Sequence, residues 1–227
     1  MELRIYSPYR IRNRTSAWGG KFQAYRKIKP ACQHYWPYES SQYLHNHIYS
    51  ILQIIMERDD QFWNIDTAAG QLLQALVFTH QPKNILEVGT SNGYSAILMA
   101  EIASQYGGHI TTIEFHEKRI ILAKNNLQKA GLLNLVTILQ GDALEILHGF
   151  EKERFDFFFI DANKKQYGEY FKECMRLANH GAIIVADNTI SHRHSLDSFF
   201  KELEIAKDLD VLESEIGTGL VIVKVKK

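Results

Sequence analysis

Cysteine and proline are scarce in this chain, and each scarcity excludes something. Cys32 and Cys174 are the only cysteines in 227 residues and form no metal-type spacing. A disulfide framework is therefore excluded, and the default is two reduced thiols in a cytosolic protein. Three of the four prolines (Pro8, Pro30, Pro37) fall with Gly19-Gly20 in the first 38 residues, where they break any regular element. Long apolar runs are missing as well. None reaches the ~18 residues needed to cross a bilayer, and Met1 to Pro30 lacks the apolar core of a signal peptide. Net charge is also absent, with 26 basic residues against 26 acidic ones. What is there is an ordinary globular composition, 45% apolar, in a length that suits one α/β domain with an extension.

The charge is zero in sum but uneven in place. Residues 1–30 hold eight Lys and Arg against the single acid Glu2, a net of +7, so the rest of the chain carries about −7. Aromatics interleave the basic residues, Tyr6, Tyr9, Trp18, Phe22 and Tyr25 among them. Residues 1–38 thus read as a basic aromatic arm. It either meets RNA, by phosphate pairing and base stacking, or packs its rings on its own body or on a twin subunit. A transit peptide is disfavoured, because Pro and Gly spoil the amphipathic helix.

The domain proper spans 39–227, with helices over 39–82 and an α/β core over 83–227. Leu44, Ile48, Ile51, Leu52 and Ile55 recur at helical steps over 39–58. His45 and His47 are two apart, a poor metal pair on a helix. Asp66 or Thr67 caps a second helix that Gln81-Pro82 ends. The stretch Asn84 to Ala100 then organises the chain. An apolar run, Ile85 to Val88, turns at Gly89 to Gly93 and continues as a helix from Tyr94. The spacing is E-x-G-x-x-x-G, not the closely spaced G-x-G-x-x-G by which a backbone approaches a pyrophosphate. That counts against a nicotinamide dinucleotide, whereas Glu87 suits a ligand with a positive end and no phosphate, such as S-adenosylmethionine (SAM).

Strand and helix alternate from there. The strands are His109–Glu114, Leu135–Leu139, Phe155–Ile160 (FDFFFI, apolar at all but one position) and Gly181–Ala186, with two closing strands near Val211–Glu213 and Leu220–Val225. This predicts a doubly wound, mostly parallel seven-stranded sheet, in which ligands bind at the carboxyl ends of the strands. Those ends carry Glu87 with Gly89, then Glu114, Asp142, Asp161 and Asp187-Asn188. Carboxylates gathered on one edge repel one another, and a cationic ligand or a metal relieves that repulsion.

Glu114 is placed to accept from both ribose hydroxyls; the alternative is a solvated strand-end acid. Asp142 can take an adenine amino group, with the Ala143 N–H reaching a ring nitrogen. Asp161, Asp187 and Asn188 offer three hard oxygens, suited to Mg²⁺, Mn²⁺ or Ca²⁺ rather than zinc, unless Asp187-Asn188 only makes an Asx-turn. Lys164, three residues past Asp161, is placed to serve as a general base beside a divalent cation and a sulfonium; Lys165 is its solvated neighbour.

In combination, ILEVGTSNGYSA, TTIE, GDALEIL, FDFFFIDANKKQYGEYF and GAIIVADNT resemble the cation-dependent, SAM-dependent O-methyltransferases, the group of catechol and caffeoyl-CoA O-methyltransferases and small bacterial relatives. The likeness covers roughly residues 60–190, and GTGLVIVKV fits the family's last strand. It implies a Rossmann-like class I methyltransferase fold with an N-terminal helical extension. It implies SAM held along the Glu87–Tyr94 segment, with Glu87, Gly89, Ser91, Gly93, Tyr94 and the adjoining Ser95 as contacts. Glu114 would hold the ribose, Asp142-Ala143 the adenine, and Ile65, in Asn64-Ile65-Asp66, would cover the cofactor. A divalent cation, Mg²⁺ by default, would sit on Asp161, Asp187 and Asn188, with Asp161 also touching the cofactor and Lys164 and Asp161 catalytic. The acceptor would be a small hydroxylated aromatic with vicinal oxygens, and the protein a cytoplasmic homodimer.

Two departures matter. Only TISHRHS, Thr189 to Ser195, stands where the family often carries a long insertion. The acceptor pocket is therefore expected to be more open, with His192, Arg193 and His194 either on its edge, placed to meet an anionic acceptor, or in a solvated turn. The basic arm has no counterpart in the resemblance. It fits the alternative of a tRNA-modifying methyltransferase acting on hydroxylated wobble uridine.

Overall fold

The computed structural model describes residues 4–6, 38–58 and 64–226. The expectations placed on residues 7–37, including those on Cys32 and most of the basic arm, lie outside the described residues.

The chain opens with a short strand β1 (Arg4–Tyr6), which the sequence pattern did not announce. Two helices follow, α1 (Tyr38–Arg58) and α2 (Thr67–His80). The predicted stripe of α1 holds at Ile48, Ile51, Leu52 and Ile55, all buried, while Leu44 sits at its edge, 36% exposed. Asp66 caps α2, its Oδ1 accepting from the N–H groups of Ala68 (2.8 Å) and Ala69 (3.3 Å). Gln81 ends α2 in the left-handed region at φ 48° and donates its N–H to Val77 O, with Pro82 next in line.

The core then alternates: β2 (Asn84–Val88), α3 (Tyr94–Ala103), β3 (His109–Glu114), α4 (Glu117–Lys129), β4 (Val136–Gln140), α5 (Ala143–His148), β5 (Phe155–Ile160), α6 (Tyr167–Leu177), β6 (Ala178–Asp187), α7 (Asp197–Ile205), β7 (Leu209–Ser214) and β8 (Leu220–Val225). All seven predicted strands are present. Together with β1 they form one sheet in the order β1-β7-β8-β6-β5-β2-β3-β4. The pairs β2–β3, β3–β4, β2–β5 and β5–β6 are parallel. The β8 strand runs antiparallel to β6 and β7, and β1 antiparallel to β7. No helix among the described residues is long and apolar enough to cross a membrane.

Both faces of the sheet are covered, which is why β5 is nearly all apolar. Phe157 and Phe159 point toward α1, α2 and α3, in one core with Ile48, Leu73, Ile97 and Met99. Phe158 and Ile160 point the other way, toward Tyr167 and Phe171 of α6 and Phe199 of α7. Each buried phenylalanine contributes roughly 1.5–3 kcal/mol. The one polar residue of β5, Asp156, is a clamp: its Oδ2 accepts from the N–H groups of Lys83 (3.0 Å) and Asn84 (2.9 Å), and its Oδ1 from Asn179 Nδ2 (2.8 Å). It ties the start of β2 to β5 and β6. The strand order reverses at β2 and β5, so the loops leaving their carboxyl ends part to opposite faces and open a crevice there.

Candidate active site

The turn after β2 is set by backbone. Gly89 has φ 103°, and its N–H and that of Thr90 both donate to Ile113 O, at 3.0 and 3.2 Å. Gly93 opens α3 at φ 86°; a Cβ there would press within 3.2 Å of Ala123 Cβ, so its bareness lets α4 pack close. Between them Ser91 donates its N–H to Glu114 Oε2 (2.9 Å), while Glu114 Oε1 accepts from His116 N–H (2.9 Å). The ribose candidate is thus held from both sides by backbone and is only 6% exposed.

Glu87 is fully buried. Ser95 Oγ donates to its Oε1 (2.5 Å) and Thr112 Oγ1 to its Oε2 (2.6 Å), with Thr90 Oγ1 2.6 Å from Thr112 Oγ1. Burial pushes its carboxyl up to about 7 against those hydrogen bonds, with the charges of Asp161 and Glu114 adding to the rise. Its partners are protein hydroxyls, and Thr90 and Thr112 are members that sequence reasoning missed.

The crevice holds a cavity of about 840 Å³. Of the predicted cofactor residues, Gly89, Ser91, Glu114, Asp142, Ala143 and Asp161 line it, together with Lys164. Ile65, Glu87, Gly93, Tyr94 and Ser95 do not: Ile65 packs in the core, and Tyr94 donates its hydroxyl to Met56 Sδ (3.3 Å). Asp142 caps α5 with one oxygen, Oδ1 accepting from Leu144 N–H (2.9 Å) and Glu145 N–H (3.2 Å). Phe115, His116, Arg119, Gln166, Tyr170 and His192 also line the cavity, unforeseen except for His192. Phe115, directly after the strand-end acid, is 65% exposed, an aromatic face open to a flat ring. A large apolar residue left bare beside Glu114 is the signal that sequence reading passed over.

At the end of β5, Lys164 Nζ donates to Asp161 Oδ1 (2.7 Å) and to Tyr167 OH (2.9 Å). Tyr167 OH lies 3.2 Å from both Ile160 O and Asp187 O, so it ties the ends of β5 and β6 together beneath the lysine. Burial, then the charges of Asp161 and Asp187, raise its hydroxyl well above the usual range, which keeps the proton on it. Asp187 is 1% exposed, and burial with the Asp161 charge pushes its carboxyl up to about 6. Its Oδ1 accepts from Asn188 N–H (2.7 Å) and Thr218 Oγ1 (3.0 Å), while Asn188 Nδ2 donates to Thr218 Oγ1 (2.9 Å). Asp187 and Asn188 lie outside the cavity lining. Among the described residues no three His, Cys, Asp or Glu form a metal cluster, and the predicted trio contains only two such residues.

The short TISHRHS loop keeps its two histidines together and sends its arginine elsewhere. His192 lines the cavity, with His194 stacked on it at 6.5 Å between ring centroids. Arg193 turns aside, its guanidinium 3.7 Å over the Phe200 ring and 2.9 Å from Glu213 Oε2.

A family model described as O-methyltransferase matches residues 38–212, well over half of the chain, so the chain belongs to the O-methyltransferase family. A catechol O-methyltransferase of Niastella koreensis is 44% identical over 131 residues, covering 56% of this chain and 59% of that protein. One of Mycobacterium tuberculosis is 36% identical over 126 residues, covering 56% and 57%. The match thus spans less than two thirds of these relatives' length. A solved O-methyltransferase of Streptomyces achromogenes involved in tomaymycin synthesis, in complex with SAM, superposes with a TM-score of 0.70 at 27% identity, covering 80% of this chain and 90% of that one. One of Bacillus cereus in complex with S-adenosylhomocysteine (SAH) gives 0.68 at 26%, covering 83% and 97%.

Proposed function

We propose that this protein transfers a methyl group from SAM to a hydroxyl of a small catechol-type aromatic. The observation that carries the reading is the convergence of Glu114, Asp142 and Asp161 on one cavity at the strand-order switch, with Lys164 bonded to Asp161. Three carboxylates in one wall suit a ligand that brings hydroxyls, an exocyclic amine and positive charge. Names of relatives support the class: catechol O-methyltransferases by sequence, and SAM- and SAH-bound enzymes by fold.

The residues also fit a hard divalent cation. The two shorter of three hydrogen bonds to the Asp187 carboxylate fall on Oδ1, and Asn188 Nδ2 lies closer to Thr218 (2.9 Å) than to Asp187 Oδ2 (3.5 Å), which leaves Asp187 Oδ2 and the Asn188 side-chain oxygen as the more available donors. Asp161 supplies the third. When bound, SAM supplies an electrophilic methyl on a sulfonium, and the cation supplies a Lewis acid for the acceptor oxygens. The chain does the rest. Glu114 and Asp142 fix the nucleoside end, and Tyr167 holds Lys164 Nζ at the cavity wall. Beside a divalent cation and a sulfonium, Lys164 would first lose its own proton to solvent, and the neutral Nζ would then take the acceptor hydroxyl proton. The crevice fixes the approach of the two reactants. His192, from the short loop, lines the same cavity and would stand at the acceptor end.

Thermal shift with SAH and with NAD, followed by product analysis on a catechol panel, tests this reading. SAH should raise the midpoint and NAD should not. A methylated catechol formed only with a divalent cation is the expected product. Stabilisation by NAD alone would overturn the class.

A further inference from the structure

Gln166 is oriented by a run of hydrogen bonds whose direction is fixed at a backbone amide. The Lys165 N–H can only donate, and it donates to Asn163 Oδ1 (3.2 Å). The other end of the Asn163 amide is then its NH₂, which donates to Gln166 Oε1 (3.1 Å). Tyr170 OH donates to the same oxygen (2.8 Å). Burial, with the charges of Asp142 and Glu169, pushes the Tyr170 hydroxyl up to about 12, so it keeps the proton it donates.

Both acceptor positions of Gln166 Oε1 are therefore filled. The two Nε2 hydrogens are used by no hydrogen bond among the described residues, although Gln166 lines the cavity. A half-buried amide pinned by its oxygen is a preorganised donor. Asp142 lines the same cavity. Asp142 spends Oδ1 on the α5 cap, which leaves Oδ2 as an acceptor. One acceptor and one donor on the wall of the same cavity match one feature of adenine: the 6-amino group, which donates, flanked by ring nitrogens, which accept.

Resting on the cofactor reading above, we propose that Gln166 is a specificity-determining residue for the nucleobase. Its Nε2 donates to a ring nitrogen beside the 6-amino group while Asp142 accepts from that amino group. Asn163 and Tyr170 are its positioning residues. A base with a 6-oxo group would face Asp142 with an acceptor and is rejected.

The test is calorimetric affinity for SAH and for its 7-deaza and 1-deaza analogues, in the full chain. The wild type should bind one of the two analogues roughly five- to tenfold more weakly than SAH, the worth of one neutral hydrogen bond. Gln166→Leu should weaken SAH by about the same factor and bind SAH and that analogue equally. Tyr170→Phe, which removes a donor that pins Oε1, should shrink the discrimination. If Gln166→Leu loses its thermal transition, Gln166→Glu replaces the donor by an acceptor at the same size. A wild type that binds SAH but does not discriminate, or a Gln166 variant that still does, would overturn this role alone. A wild type that binds no SAH would overturn the cofactor reading with it.

Discussion

A Cβ built on Gly89 would lie 2.2 Å from the carbonyl oxygen of Asp161. The two strand ends meet backbone to backbone, and the Asp161 N–H continues the ladder by donating to Val88 O (3.0 Å). The glycine turn that begins the cofactor crevice and the residue that anchors Lys164 are therefore one mechanical unit. A shift of either loop moves the other.

Gly89→Ala should destabilise the protein by roughly 2–4 kcal/mol, since it adds a clash with backbone to a φ of 103° that alanine rarely adopts. Urea unfolding reads this as a lowered midpoint at unchanged slope. An unshifted midpoint would mean that the two loops separate freely.

Lys164→Ala should lower turnover by roughly 10²–10⁴-fold while the apparent acceptor constant moves far less, because the loss falls on proton transfer. Unchanged turnover would remove Lys164 from the chemistry.

Asp161→Ala should abolish activity and its dependence on a divalent cation together, and leave most of the SAH affinity in place. Wild-type turnover that is equal with and without EDTA would count against the cation site.

Glu87 gives a pH prediction. Its folded-state carboxyl titrates at about 7 against 4.5 when exposed. Between those values the folded state holds a proton that the unfolded state has lost, so stability falls as pH rises through that window, by an amount on the order of 3 kcal/mol. It is fully present below pH 4.5 and gone above 7. Glu87→Gln should flatten this part of the stability–pH curve, read by chemical denaturation across pH 4–8. A curve of wild-type slope in the variant would mean that other groups set it.

The sequence by itself determined the order of elements and where the acids stand. Period-2 and period-3.6 apolar patterns mark which residues must leave water, and turn glycines mark where the chain reverses; both are local properties of a covalent string. That is why Glu114, Asp142, Asp161, Asp187 and Asn188 were legible at strand ends, and why the E-x-G-x-x-x-G turn counted against a pyrophosphate site. Only the tertiary structure decided which of these groups face one another. Thr218 reaches Asp187 and Asn188 across some thirty residues of chain, because β8 pairs with β6. Tyr167 joins two strand ends that no spacing connects. Glu87 turns into a nest of Ser95 and Thr112, the latter brought beside it because β3 pairs with β2. Hydrogen bonds act over about 3 Å of space and are indifferent to separation along the chain, so contacts of this kind exist only once the sheet has assembled.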